Sequence, residues 1–445
     1  MQLKMGLKLL VLGAVSVLLL IALSSIAGIT RERKNRQREV QQGIAESYAG
    51  RQQLVGPVFA LEYRERWMAR LYNNEKNTWY EKEMVALRSA MVYPERLEYG
   101  GSLKVQERYR GIFKANVYQS NGRIAGSVRF PALETVGTEP NSTIELVSAK
   151  ACLIVSDPRG ISHVPAFEWS GDPLEIQPGS SLAIKRSGIH AALPGPDGLP
   201  GRSFDFALDL KIHGMGQFSL VPIGAENCIR LESAWPHPSF IGDFLANDRT
   251  VSEQGFAAEW NVNSLACSAQ QAMSAGQLKS IQQLGVDLID PVNTYPLTDR
   301  ALKYGFLFIF ITFAAFFLFE LVKQLKIHPV QYGFVGLAQA LFFLLLLSLS
   351  EHIGFGISYL VASAATIGVI AAYLCSVLKG VKRGLLFGVV LSVLYGALYG
   401  LLQSEDHALV AGSTLLFCLL TLVMMFTRKI DWYALGAKQT EGSVR

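Results

Sequence analysis

The chain has 445 residues, half of them apolar, with 41 Lys+Arg against 36 Asp+Glu. This is longer than one ordinary domain and fits a globular part joined to a membrane part. The segment Thr30 to Asp299 holds 28 basic and 30 acidic residues and the remainder holds 13 and 6, so the near-neutral middle lacks the electrostatic footprint that nucleic acid requires.

In chain order, residues 1–6 read as a short cytoplasmic N-terminus and Leu7 to Ile29 as the first membrane span. It is uncharged except for Lys8 and long enough to cross a hydrocarbon core of about 30 Å. Ser25 and Ala27 would also suit a cleaved signal peptide, but the long apolar stretch and the basic cluster after it favour a retained anchor. Arg31 to Leu54 has helical character, with Val40, Ile44 and Tyr48 on one stripe and a stop at Gly56-Pro57.

Beyond that point the apolar period changes to two. Phe204, Phe206, Leu208, Leu210 and Ile212 alternate with polar or small residues, as do Phe113, Ala115 and Val117. Asn121-Gly122 reads as a hairpin turn into Ile124, Gly126, Val128 and Phe130, because both residues tolerate positive φ. The segment 30–299 is therefore a mainly β domain. The Pro- and Gly-rich loop 194–201 is a possible boundary between two β subdomains, and a helical stretch from Ala269 to Leu284 leads back to the membrane.

Residues 300–428 read as a five-helix transmembrane bundle and 429–445 as a cytoplasmic tail. Its spans are about Tyr304 to Val322, Tyr332 to Ser350, Ile353 to Leu378, Gly384 to Leu402 and Leu409 to Thr427. Basic residues cluster in alternate connections: Lys323, Lys326 and His328, then Lys379, Lys382 and Arg383, then Arg428 and Lys429. The other connections carry Glu351-His352 and Glu405-Asp406-His407. Basic short loops stay in the cytoplasm, which places both termini inside and the large domain outside. The cluster Arg31, Arg33, Lys34, Arg36 and Arg38 opposes this orientation, and the three later loops outweigh it. The expected fold is a multi-pass α-helical membrane protein of about six spans, with a large, mainly β extracytoplasmic domain inserted between spans one and two.

Gly384, Gly388, Ser392, Gly396 and Gly400 form an i+4 ladder of small residues that suits close helix packing. Ala364, Gly368, Ala372 and Ser376 form a similar row one span earlier, so the two spans are expected to pack through these rows. Candidate functional polar groups are Glu320, Glu351 and His352, since an ionisable group inside a membrane is costly and marks a pathway or a partner. Hydrated positions at the span ends are the simpler reading, and few polar groups fall at mid-bilayer where transport would need them.

No nucleophile elbow, phosphate loop, HExxH or CxxC occurs in the β domain. His163, His190, His213 and His237 lack ligand spacing, so no catalytic residue, metal site or cofactor is expected. Cys152, Cys228 and Cys267 permit one disulfide at most, and buried thiols explain them equally well. The WPHPSF run, Trp235 to Phe240, reads as a rigid turn with its rings in a core.

Several segments together resemble the CreD family of bacterial inner-membrane proteins. In the last spans these are YPLTDRALKYGFLFIFITFAAFFLFE (Tyr295 to Glu320), HPVQY (His328 to Tyr332), LLLLSLSEHIGF (Leu344 to Phe355) and RKIDW (Arg428 to Trp432). The β domain adds RYRGIFKANVY (Arg108 to Tyr118), WPHPSFIGDFL (Trp235 to Leu245) and GFAAEW (Gly255 to Trp260). Tyr48-Ala49 and Leu245-Ala246 depart from the Trp-Gly and Leu-Pro of the family pattern. The resemblance implies an inner-membrane location, a periplasmic domain, a link to envelope integrity and expression under the Cre stress response, but no reaction or ligand. The leading expectation is a non-enzymatic protein whose β domain binds an envelope component or a partner protein. A transporter or lipid-handling protein and a periplasmic hydrolase are the alternatives. The lipid bilayer is the one partner implied by composition, and the oligomeric state is left open.

Overall fold

The computed structural model describes residues 2–75, 77–289, 294–323, 327–378, 380–403, 410, 412–414, 417, 421, 424–425 and 428. The expected last span, Leu409 to Thr427, lies largely outside the described residues, as do Glu405-Asp406-His407 and the tail 429–445. The chain divides into two compact units, Met1–Gln37 with Val292–Arg445, and Arg38–Pro291.

Helix α1 (Gln2–Tyr48) carries the apolar segment and its charged continuation in one element. It stops six residues before the expected Leu54, because Gln52 already opens the first strand. The β-rich unit then comprises β1 (Gln52–Asn73), β2 (Thr78–Val92), β3 (Arg96–Arg110), β4 (Phe113–Arg129), β5 (Thr143–Val155), β6 (Ala166–Trp169), β7 (Asp172–Leu174), β8 (Ile176–Pro178) and β9 (Gly188–Ala192). It continues through β10 (Ser203–Met215), β11 (Gln217–Val221), β12 (Glu226–Ser233), β13 (Pro238–Gly242), β14 (Asp248–Ser252), β15 (Gly255–Asn263), the short α2 (Ala269–Ser274) and β16 (Leu284–Leu288). Only the first turns of the expected Ala269 to Leu284 helix form, and Leu284 enters a strand.

The strands make two eight-stranded sheets, ordered β13-β16-β11-β1-β5-β9-β8 with β2 also on β1, and β14-β15-β12-β3-β4-β10-β6-β7. Both sheets take strands from either side of the 194–201 loop, so that loop does not divide the unit. The sheets meet across aromatic rings: Phe59 of the first lies 5.4 Å from Phe206 and 5.7 Å from Trp169 of the second, and 5.9 Å from Phe130, which directly follows β4. The alternation read in β10 is realised, with Phe206, Leu208, Leu210 and Ile212 buried. Cys152 and Cys267 are buried thiols and Cys228 is half-buried; burial pushes the Cys152 thiol up to about 12, which keeps it protonated and inert.

One turn expectation is overturned. Asn121 and Gly122 sit within β4, where Gly122 pairs with Gly101 on one side and Leu210 on the other. The glycine serves packing here. The Tyr99 ring lies over Gly101 and Gly122, and a Cβ at either position would come within 2.4 Å of its hydroxyl oxygen. Glycine in a strand interior marks this kind of close approach as readily as a turn.

Past Arg66, the last β1 residue paired with β5, β1 and β2 continue alone as a two-stranded ribbon. At its base Glu65 is fully buried. It accepts hydrogen bonds from the backbone N–H groups of Thr138 and Glu139 at 2.8 and 2.9 Å and from the hydroxyls of Ser142 and Thr138 at 2.8 and 3.0 Å. Arg88 completes the cage at 2.7 Å. Burial alone would raise this carboxyl, but the four donors outweigh it and hold the group at about 2. A depressed folded value means that the stabilisation is present above the ordinary carboxylate range near 4.5 and is lost as pH falls toward 2. Hydrogen-exchange protection, the slowing of exchange relative to an unstructured amide at the same pH, is therefore expected to be high in segment 133–142 at pH 6 and to fall between about pH 4 and pH 2. The Glu65→Gln variant should show weak protection at both ends of that range.

Candidate functional site in the helical unit

The second unit is built from the first part of α1 with α3 (Thr294–Lys323), α4 (Pro329–Ile353), α5 (Phe355–Val377) and α6 (Val381–Gln403). Five helices among the described residues, these four and α1, are long and apolar enough to cross a membrane. Each has a buried stripe at helical spacing. On α4 it runs through Tyr332, Val335, Gln339, Phe342, Leu346 and Ser350, while Phe334, Leu337, Leu341 and Leu345 are exposed. An exposed apolar face of this length suits lipid.

Leu19, Leu23 and Ile26 bring α1 into the same buried cluster. Gly336 makes the approach possible, since a Cβ there would stand 2.2 Å from Leu19 Cδ1. Charged groups then hold α1 at two levels. Lys8 Nζ pairs with Glu320 Oε1 and donates to the Ile327 carbonyl at 3.0 Å, while the Tyr332 hydroxyl donates to Glu320 Oε2 at 2.7 Å. Lys8 and Glu320 are 18 % and 11 % exposed. Farther along, Arg33 Nε lies 3.7 Å from Glu351 Oε1, and the Tyr295 hydroxyl donates to that same oxygen at 3.0 Å. The 25 residues from Lys8 to Arg33 rise about 37 Å, just over a hydrocarbon core of about 30 Å.

Two of the three candidate polar residues, Glu320 and Glu351, are thus engaged with α1. His352 is exposed in the last turn of α4 and does not join either cluster. Sequence reasoning missed the partners Lys8, Arg33, Tyr295 and Tyr332. The available signal was Lys8 itself, the lone charge in an otherwise apolar span.

The small-residue rows behave unequally. Gly384 and Gly388 face α5, where added Cβ atoms would meet the Cys375 Sγ at 2.4 Å and the Ala371 Cβ at 3.2 Å. Ser392 is exposed and bonds back to the Gly388 carbonyl at 2.9 Å, and added Cβ atoms at Gly396 and Gly400 would meet nothing within 4 Å among the described residues. On α5 the contacting row is Ile367, Ala371 and Cys375, whereas Ala364, Gly368, Ala372 and Ser376 are exposed. Regular spacing defines a helix face without saying which face is inward. Accordingly Gly384→Leu and Gly388→Leu should each cut the yield of folded protein severalfold, and Gly396→Leu should leave it within experimental error in size-exclusion profiles.

No group of three or more His, Cys, Asp or Glu is arranged to hold a metal among the described residues. His190 bonds the Gly179 carbonyl at 2.7 Å and His213 stacks on Tyr48 at 4.8 Å.

A bundle of long apolar helices joined to a large β-rich unit defines a multi-pass integral membrane protein. Comparison with known proteins gives the family: residues 4–433 match the family described as Inner membrane protein CreD. The chain is 36 % identical over 438 residues to Inner membrane protein CreD of Escherichia coli (strain K12), covering 97 % of this chain and 94 % of that one. It belongs to the CreD family and is an inner-membrane protein. Two solved structures of an M1 zinc metallopeptidase from Deinococcus radiodurans align with 44 % of the chain and 42 % of theirs, at 10 % identity and TM-scores of 0.24 and 0.23. That likeness is too slight to bear on fold or activity.

Proposed function

We propose that this protein supports the integrity of the cell envelope as a non-enzymatic, membrane-anchored binding protein. In this reading the β-rich unit is inserted between spans one and two and lies in the periplasm. Six spans, the last one formed by Leu409 to Thr427, leave both termini in the cytoplasm. The alternating basic loops support that orientation, and the pairing of Arg33 with Glu351 weakens the one cluster that opposed it. The same pairing, with that of Lys8 and Glu320, supports anchoring over transport, because the groups a transport pathway would need are spent on holding α1.

The observation that carries the binding role is the β1–β2 ribbon. Met68, Tyr72, Trp79, Tyr80, Val85 and Leu87 are all 43 % exposed or more on it, and Arg70 lies over the Trp79 ring at 5.4 Å. Chain entry and exit lie together at the other end of β1, where Gln52 pairs with Phe218 and Phe218 with Val286. The 22 residues of β1 reach at most about 70 Å, so the exposed rings stand far from the tethers. Aromatic side chains with an arginine are the residue types that dominate protein interfaces.

Photocrosslinking in living cells tests this. A photoreactive residue at position 72, 79 or 80 should capture one reproducible neighbour, and the same residue at the remote exposed position 164 should not. Equal, unspecific capture at all four positions would contradict the binding role.

A further inference from the structure

The interior of the helical unit is layered. Phe308 of α3 and Phe342 of α4 enclose the Tyr395 ring of α6 at 4.5 and 4.8 Å. Farther along, Phe316 of α3 meets Tyr332 of α4 at 4.6 Å and Phe387 of α6 at 5.4 Å. Between these aromatic layers lies a polar one. Gln339 Nε2 donates to Thr312 Oγ1 at 2.6 Å, and the Thr312 hydroxyl donates back to the Phe308 carbonyl at 3.0 Å. Gln339, Thr312 and Tyr395 are 0 %, 1 % and 2 % exposed.

Two polar atoms here have no protein partner among the described residues, Gln339 Oε1 and the Tyr395 hydroxyl. An unpaired polar group in a membrane interior costs several kcal/mol, so each demands a partner. The direction of the Tyr395 hydroxyl follows from helix geometry. Position 395 on α6 meets 308 on α3, and 387 meets 316, so the helices run antiparallel. Side chains on a helix lean toward its N-terminus. The Tyr395 hydroxyl is therefore carried from the Phe308–Phe342 layer toward the Thr312–Gln339 layer.

We propose that this polar layer binds one water molecule in the interior of the membrane unit. The water accepts a hydrogen bond from the Tyr395 hydroxyl and donates to Gln339 Oε1 and to the second lone pair of Thr312 Oγ1. Three bonds are the usual complement of a buried structural water. The site stands independently of the envelope role, since it follows from interior packing alone.

A thermal-unfolding cycle on the purified full-length protein tests the proposal, using Tyr395→Phe, Gln339→Met and the double variant. If both residues hold the same water, either single change expels it, and the double should lower Tm no further than the larger single. Losses that add would overturn the proposal. An experimental density map at about 2 Å resolution provides a second readout that does not depend on the variants folding. Solvent density within hydrogen-bond reach of all three side chains supports the site, and a direct Tyr395–Gln339 bond or a dry layer refutes it.

Discussion

Reversing one charge at residue 8 is expected to remove most of the folded protein, and reversing its partner as well is expected to restore it. Lys8→Glu puts two carboxylates against each other in a pocket that also contains the Tyr332 hydroxyl and the Ile327 carbonyl. Breaking a buried ion pair from one side costs about 3–5 kcal/mol, a large part of the stability of an ordinary domain. Glu320→Lys alone should be comparably damaging, while the double reversal rebuilds the pair with its direction exchanged. Because Lys8 also influences topology near the amino terminus, Lys8→Met with Glu320→Met is the better control. A well-packed apolar pair can replace a buried ion pair at little net cost. Monodisperse protein recovered in detergent is the measure. If either double variant also complements a deletion strain in the assay where the unaltered protein does, Glu320 serves to hold α1. A double variant that folds but does not complement would return Glu320 to a transport role.

The second large effect is expected in the β-rich unit. Trp260 on β15 is fully buried, donates from Nε1 to the Phe244 carbonyl at 3.2 Å and meets Phe240 edge-on at 5.9 Å. Trp260→Ala removes the largest fully buried side chain among the described residues and leaves the Phe244 carbonyl without this donor. Aromatic-to-alanine changes in a core cost about 3–5 kcal/mol. Trp260→Phe keeps most of the ring and should cost less than half of that. Chemical denaturation followed by near-UV circular dichroism would rank the three proteins, and equal midpoints would mean that this core is not the one holding the sheets together.

The parts of the fold legible in the sequence were those written in hydrophobic period. Long apolar runs located α3 to α6 to within a few residues at most ends, and strict alternation located β10 with its buried face. Two kinds of feature stayed hidden. Small residues are ambiguous in a single chain: Gly122 looked like a turn and is a strand position beneath Tyr99, and the 364–376 row looked like a helix seam and is exposed. Pairings across long separations were the other kind. Lys8 and Glu320 are 312 positions apart, and nothing local to either residue announces the other. The same is true of Gln339 with Thr312, which are 27 apart on neighbouring helices and put polar groups where the sequence had suggested few. Glu65 was just one of many charges until the 133–142 segment folded over it.

In the proposed topology a β-rich body tethered at both chain ends stands outside the cytoplasm. Leu265, 97 % exposed in that body, offers the most direct probe once the five native cysteines are replaced and Leu265→Cys is introduced. A membrane-impermeant maleimide applied to intact spheroplasts should label the protein as fully as it does after lysis. Labelling that appears only once the membrane is broken would put the body in the cytoplasm and contradict the account.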